Sequence, residues 1–176
     1  MQFFSGFGFH NEKILFLDIL NRSDFTIAGF SYGAQKAFQE AVKQVQEGKR
    51  VDTLQLISPA YFDEESKEFK HKQILSFVKN QDAYLHFFYK KAAYPSKKDY
   101  SKFFTQPSLG DLKALLFFTW DDKALEFLVQ SGVHIEVFIG ALDKIVNPQK
   151  SKHFFQQYGQ VYYIKDVGHL LRGSNG

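Results

Sequence analysis

Along the chain, short runs of apolar residues alternate with longer stretches in which apolar residues return every three or four positions. The short runs read as strands, Asp24-Phe25-Thr26-Ile27-Ala28 as a buried one. Gln2 to Phe4 is the first, followed by the glycine-punctuated Ser5-Gly6-Phe7-Gly8. Asp24-Phe25-Thr26-Ile27-Ala28 is the second and ends at Gly29. Thr53 to Ile57 stops at Ser58-Pro59, Val133 to Ile139 stops at Gly140, and Val161 to Ile164 opens toward Lys165-Asp166-Val167-Gly168-His169. The helical spacing is clearest in Tyr32 to Glu47, where Ala34, Ala37, Phe38, Ala41, Val42 and Val45 form one stripe ahead of Gly48. Asn11 to Leu20 and Pro148 to Tyr158 carry weaker versions, the latter opened by Asn147-Pro148. Strands alternating with helices predict βαβ units and a parallel sheet.

From Tyr61 to about Gln130 that alternation stops. The stretch has helical periodicity and no convincing strand, which predicts a helical cap or lid (61–130) inserted into an α/β core made of 1–60 and 131–176. The first half of the insertion is basic, with nine Lys against three acidic residues from Lys67 through Lys102. There is no internal repeat, and Arg172-Gly173-Ser174-Asn175-Gly176 reads as a frayed tail.

Composition narrows the class. Over 176 residues, 44% hydrophobic and 23% charged exclude a disordered chain. Aromatic residues reach 18%, with 21 Phe against one Met and one Trp, enough for a substantial core in a short chain or for a greasy pocket. A net charge of +3 gives no reason to expect nucleic acid. The absence of Cys excludes disulfides, Cys-ligated zinc and a Cys nucleophile, and fits a reducing compartment. The N-terminus lacks the features of a signal peptide, and no apolar run approaches the roughly 18–20 residues of a membrane span. A soluble, cytoplasmic protein without a membrane partner is expected.

Gly29-Phe30-Ser31-Tyr32-Gly33 matches G-x-S-x-G, the nucleophile elbow, with a buried strand running into it and a helix starting after it. The glycines are needed because the serine sits on a strained turn, where flanking side chains would collide with neighbouring elements. The plain alternative is a Gly-Ser turn between two elements. A serine nucleophile needs a base, and the base needs an acid to fix its tautomer. In this architecture the partners follow in the order Ser, Asp/Glu, His. Asp143, after the strongest strand, and His169, after the last one, stand in that order at the carboxyl ends of predicted parallel strands. Asp166 is the competing acid, only three residues from His169. Asp121 and Asp122 read as a helix start. His10, His71, His86, His134 and His153 share no metal-ligand spacing, so neither a metal nor a cofactor is expected.

Attack by serine creates an oxyanion that preorganised N–H groups must meet. The backbone N–H of Tyr32 is one candidate donor. The Phe7 N–H is the other, in a loop whose glycines allow close approach, although the same loop also reads as a tight βα turn.

These residues resemble the α/β-hydrolase superfamily over the whole chain, in shortened form. Ser5-Gly6-Phe7-Gly8 is similar to the family's His-Gly-aromatic-Gly loop, with Ser5 in place of the histidine, which keeps the backbone donors and removes any role of that histidine. Ser58-Pro59-Ala60 resembles the strand end that leads into the family's cap. Members normally carry two or more strands before the oxyanion loop, and a strand and helix between that loop and the elbow. Here the loop begins at residue 5 and the nucleophile follows at 31, which implies a truncated α/β-hydrolase with about five parallel strands.

That compactness, with Phe-Ser-Gly-Phe-Gly-Phe near the start and Gly-Phe-Ser-Tyr-Gly-Ala at the elbow, resembles the compact BioV type of pimeloyl-[acyl-carrier protein] methyl ester esterases of biotin synthesis. The resemblance implies a serine carboxylesterase in which Ser31 attacks the methyl ester carbonyl, His169 takes its proton and Asp143 orients the imidazole. The implied partner is an acyl carrier protein bearing the substrate on its phosphopantetheine arm. Such carriers are acidic, so Lys90, Lys91, Lys97 and Lys98 are docking candidates, or else an ordinary solvated face. Phe87, Phe88 and Tyr89 could line a tunnel for the acyl chain, or form cap core. A general short-chain esterase or thioesterase, and a non-catalytic binding module on the same fold, are the competing readings.

Overall fold

The computed structural model describes residues 1–174. Five strands, β1 (Gln2–Phe4), β2 (Thr26–Phe30), β3 (Thr53–Ile57), β4 (His134–Gly140) and β5 (Gln160–Ile164), form one sheet in the order β1-β2-β3-β4-β5. Every neighbouring pair is parallel, as the alternation of strands and helices predicts. Phe4 pairs with Gly29, Phe30 with Ile57, and Ile57 with Phe138, so these strands end almost level and their following loops share one edge. The second strand runs on through Gly29 and Phe30 because its ladder to β3 does not stop there. Even the Ser31 N–H donates to the Ile57 carbonyl at 2.8 Å.

Period-two alternation sorts the strand side chains into two cores. Ile27, Leu54, Leu56, Ile135, Val137 and Ile139 face one side, where they meet α1 (Tyr32–Gln46), α5 (Asp122–Gln130) and α6 (Pro148–Phe155). Ala28, Phe30, Ile57 and Phe138 face the other. There they meet a short 3-10 helix (Glu12–Phe16) that stands in for the longer helix expected over Asn11 to Leu20, and the helices α2 (Lys67–Lys79), α3 (Gln81–Ala93) and α4 (Leu109–Phe117).

The interval 61–130 is therefore not one kind of structure. Helix α2 packs on α3 and α4, and all three join the core around Phe7, Phe9 and Phe30. Helix α5 instead packs on α1 and β4, on the opposite side of the sheet, and serves as the β3-to-β4 crossover helix. Local capping starts these helices where the sequence turns polar: Ser66, Asn80 and Asp121 each accept a backbone N–H from the first turn, and Ser108 with Asp111 forms a capping box.

The tail needs a correction at its first residue. Arg172 is half-buried, its guanidinium donates to the Leu15 carbonyl, and its own carbonyl accepts from the Gly168 N–H at 3.2 Å. Asn175 and Gly176 lie outside the described residues. No helix among the described residues is long and apolar enough to cross a membrane.

Candidate active site

Ser31 stands between the last residue of β2 and the first of α1, with φ 55° and ψ −116°. A residue with a side chain rarely adopts that conformation, so the turn is strained and must be held by its surroundings. The flanking glycines make room. A Cβ on Gly29 would meet the backbone of Gly33, and one on Gly33 would meet the carbonyl oxygens of Phe4 and Ser5. The end of β1 thus lies directly on the elbow. Ser31 makes no side-chain cap bond to its own helix, which leaves its hydroxyl to another partner.

That partner is His169. Ser31 Oγ lies 2.9 Å from His169 Nε2, and His169 Nδ1 lies 2.6 Å from Asp143 Oδ2. With Nδ1–H donating to the carboxylate, the Nε2 lone pair faces the hydroxyl, which is the tautomer a general base requires. All three side chains are buried, His169 completely. The other Asp143 oxygen accepts the Ile145 and Val146 amides at 2.7 and 3.2 Å, which fixes the carboxylate plane. Asp166 is exposed, at φ 61°, so the two candidate acids separate cleanly. Asp121 caps α5, as a helix start should.

Two polar residues outside the predicted site support this array. Ser58, at φ 42° just past β3, donates its hydroxyl to the His169 carbonyl at 2.7 Å and so holds the histidine loop. Gln35, buried one turn into α1, donates to the Ala60 and Leu115 carbonyls at 2.9 and 3.1 Å, linking the elbow helix to α4. The sequence marks Ser58 only as a strand end and gives no sign of its bond to the histidine loop, and a glutamine in a helix carries no signal at all.

The loop after β1 lies against the elbow. Phe7 is buried, its ring edge-on to Phe88 at 5.4 Å between centroids, and its N–H makes no hydrogen bond among the described residues. The three aromatic candidates of α3 part company. Phe88 is core and also touches a cavity of about 570 Å³, which Phe87, 62% exposed, lines at the surface. Tyr89 is not among the lining residues. Its hydroxyl donates toward the Gly8 and Thr105 carbonyls and its ring stacks on Phe104 at 3.8 Å, so it clips α3 to the loop after β1. Burial pushes its phenol up to about 12, which keeps it a neutral donor.

The cavity lies between α2, α3 and α4, and its inner end reaches Phe7 and Ile145 rather than Ser31 itself. Lys79, Lys91 and Lys144 contribute to its lining. Lys90, Lys97 and Lys98 are exposed but lie outside it. Lys70, from the same basic stretch, is buried against the Phe117 ring.

A short parallel sheet, a strand–Ser–helix elbow and a buried Ser31–His169–Asp143 array together define an α/β-hydrolase fold carrying the site of a serine hydrolase. Comparison with solved structures agrees on the fold. A putative hydrolase from Bacillus subtilis matches with a TM-score of 0.56 at 17% identity, over 83% of this chain and 54% of that one. Naproxen esterase (carboxylesterase NP) from Bacillus subtilis matches with a TM-score of 0.54 at 16% identity, over 83% and 53%. This chain thus spans about half the length of those two hydrolases. BioG from Haemophilus influenzae matches with a TM-score of 0.58 at 13% identity, over 96% of this chain and 87% of that one. No family model and no curated protein matches the sequence.

Proposed function

We propose that this chain is a serine carboxylesterase that hydrolyses the methyl ester of pimeloyl-acyl carrier protein to pimeloyl-acyl carrier protein and methanol, a step of biotin synthesis. The observation that carries the hydrolase part is the unbroken line of contacts from Ser31 Oγ through His169 to Asp143, at 2.9 and 2.6 Å. Ser31 Oγ attacks the ester carbonyl while His169 Nε2 takes its proton, and Asp143 balances the charge on the imidazolium. The Phe7 and Tyr32 amides receive the developing oxyanion. His169 then returns the proton to the departing methoxide, methanol leaves, and a water activated by the same nitrogen cleaves the acyl-enzyme.

The carrier-linked substrate rests on three supports. The sequence around Ser5-Gly6-Phe7-Gly8 and the elbow resembles the compact pimeloyl-carrier esterases. An apolar cavity of about 570 Å³ adjoins the oxyanion loop, of a size for an acyl chain. Lys79, Lys91 and Lys144 around that cavity supply the positive field that an acidic carrier or a phosphodiester would follow.

The test is hydrolysis of methyl-pimeloyl carrier protein by the purified chain, followed by mass spectrometry, with Ser31→Ala in parallel. A loss of about 14 Da that disappears in the variant is expected, the mass of CH₂ exchanged on hydrolysis. Release of free carrier would make the enzyme a thioesterase. Turnover of a small ester with none of the carrier substrate would leave a general esterase.

A further inference from the structure

Glu12 is fully buried, 0% exposed, yet takes no part in the chemistry described above. It opens the 3-10 helix directly after Asn11, which turns the chain at φ 55°, and its side chain reaches back six residues. Its Oε1 accepts the Gly6 N–H at 2.8 Å, while its Oε2 has no hydrogen-bond partner among the described residues. Burying a carboxyl group is unfavourable even with the Ser5 hydroxyl and His10 offsetting part of the cost, and a hydrophobic residue would fill the same space without that penalty.

The place where this side chain acts is specific. Gly6 is held at both polar atoms: its N–H by Glu12, and its carbonyl by the Phe9 N–H at 3.1 Å. A peptide unit is planar, so fixing the Gly6 carbonyl also fixes the opposite direction of the Phe7 N–H on the same plane. Gly6 is also pressed onto Phe30, where an added Cβ would lie 2.7 Å from the ring, and Phe30 immediately precedes Ser31.

We infer that Glu12 is a positioning residue for the oxyanion loop: by holding the Gly6 N–H it fixes the Ser5–Gly6 peptide, and with the Phe9 N–H on the Gly6 carbonyl this limits the rotation about the Gly6 Cα that would turn the Phe7 N–H away from the developing oxyanion. The inference rests on the hydrolase reading and on Phe7 as a donor within it. The role asks only for an acceptor at Oε1, so an amide oxygen serves as well as a carboxylate oxygen.

The test uses the full chain with p-nitrophenyl butyrate, fluorophosphonate labelling, and the variants Glu12→Gln, Glu12→Leu and Glu12→Asp. Glu12→Leu keeps the volume and removes the acceptor. Its kcat is expected to fall at least about tenfold with KM within about twofold, the pattern of a contact made in the transition state. Glu12→Gln should recover kcat to within about threefold of wild type. Glu12→Asp withdraws the acceptor by one methylene and should resemble Glu12→Leu, which covers the case where the leucine variant does not fold. The Gly6 amide of the wild-type chain should be protected from hydrogen exchange, a reading that needs no variant.

A folded Glu12→Leu or Glu12→Asp with wild-type kcat overturns the inference. So does a Gln variant as slow as the Leu variant, or a Gly6 amide that exchanges unprotected. Wild-type chain that fluorophosphonate does not label removes the hydrolase reading and this inference together. A labelled wild type whose Glu12 variants are labelled equally fast removes this inference alone.

Discussion

The Ser58 hydroxyl donates to the backbone carbonyl of His169 at 2.7 Å, joining the loop after β3 to the loop that carries the base across 111 residues of sequence. The histidine is thereby held from three directions: by Ser58 at its backbone, by Asp143 at Nδ1, and by the Phe30 ring 5.0 Å from its own. In Ser58→Ala the buried carbonyl loses its donor, which is expected to lower stability by about 1 kcal/mol. A loosened imidazole should lower kcat roughly three- to tenfold. Urea denaturation and steady-state kinetics on a small ester check both, and an unchanged kcat would confine Ser58 to stability.

Asp143 divides its two oxygens between the imidazole and its own loop, so Asp143→Asn separates geometry from tautomer. The amide can keep accepting from Ile145 and Val146, but its NH₂ then faces Nδ1 and favours the tautomer with the proton on Nε2. An expected kcat loss of about 10⁴ follows from the same change in a serine protease. The folded signal in circular dichroism should persist. A variant retaining more than about a tenth of wild-type kcat would return the acid role to another residue.

Tyr89 tests the division between pocket and scaffold. Tyr89→Phe keeps the ring stacked on Phe104 and removes only the hydroxyl that serves the Gly8 and Thr105 carbonyls. A stability loss on the order of 1–2 kcal/mol is expected. KM for butyl and hexyl esters should stay unchanged, whereas Phe88→Ala, which opens the cavity wall, should shift the chain-length preference.

The pH dependence of stability has a defined sign at Glu12. Burial raises its carboxyl pKa, against the Gly6 amide, the Ser5 hydroxyl and His10, which pull it down. A raised carboxyl pKa means that the folded chain binds a proton more tightly than the unfolded one. That stabilisation is present below the unfolded value and is lost as pH rises through the folded value. Glu12→Gln has no such loss. Its stability relative to wild type should therefore grow as pH rises above the ordinary carboxylate range of about 4 and level off beyond the folded pKa. Urea midpoints compared from about pH 4 to pH 8 read this directly; a difference constant with pH would mean the carboxyl is not perturbed.

Charge reversal separates the basic residues that line the cavity from those beyond it. Lys91→Glu combined with Lys144→Glu should slow the carrier-bound ester at least about tenfold more than a small ester, with the gap closing as salt rises. Lys97→Glu with Lys98→Glu, outside the cavity, should give a smaller gap. Equal effects from the two pairs would point to a diffuse field rather than a docking edge.

Sequence by itself determined the features whose causes are local. Apolar runs marked all five strands; β2 and β3 are buried throughout and need consecutive apolar residues, while the edge strands β1 and β5 are only partly covered. Gly29, Ser31 and Gly33 marked the elbow, because a strained turn between strand and helix excludes side chains at its flanks. Chain order at strand ends brought out Ser31, Asp143 and His169.

Tertiary structure alone decided what depends on which distant groups meet. Asp143 and Asp166 both stand near strand ends, and only the packing of the β4 and β5 loops turns one toward the imidazole and the other to solvent. Helix α5 lies in the same strandless stretch as α2, α3 and α4, yet it buries its apolar stripe on the opposite face of the sheet. Tyr89 meets Gly8 across 81 residues, and a buried Glu12 has no sequence signature, since its burial follows from Gly6 needing an acceptor. These contacts are set by parallel register and by polar groups that must be satisfied once water is excluded, and neither is written in the spacing of neighbouring residues.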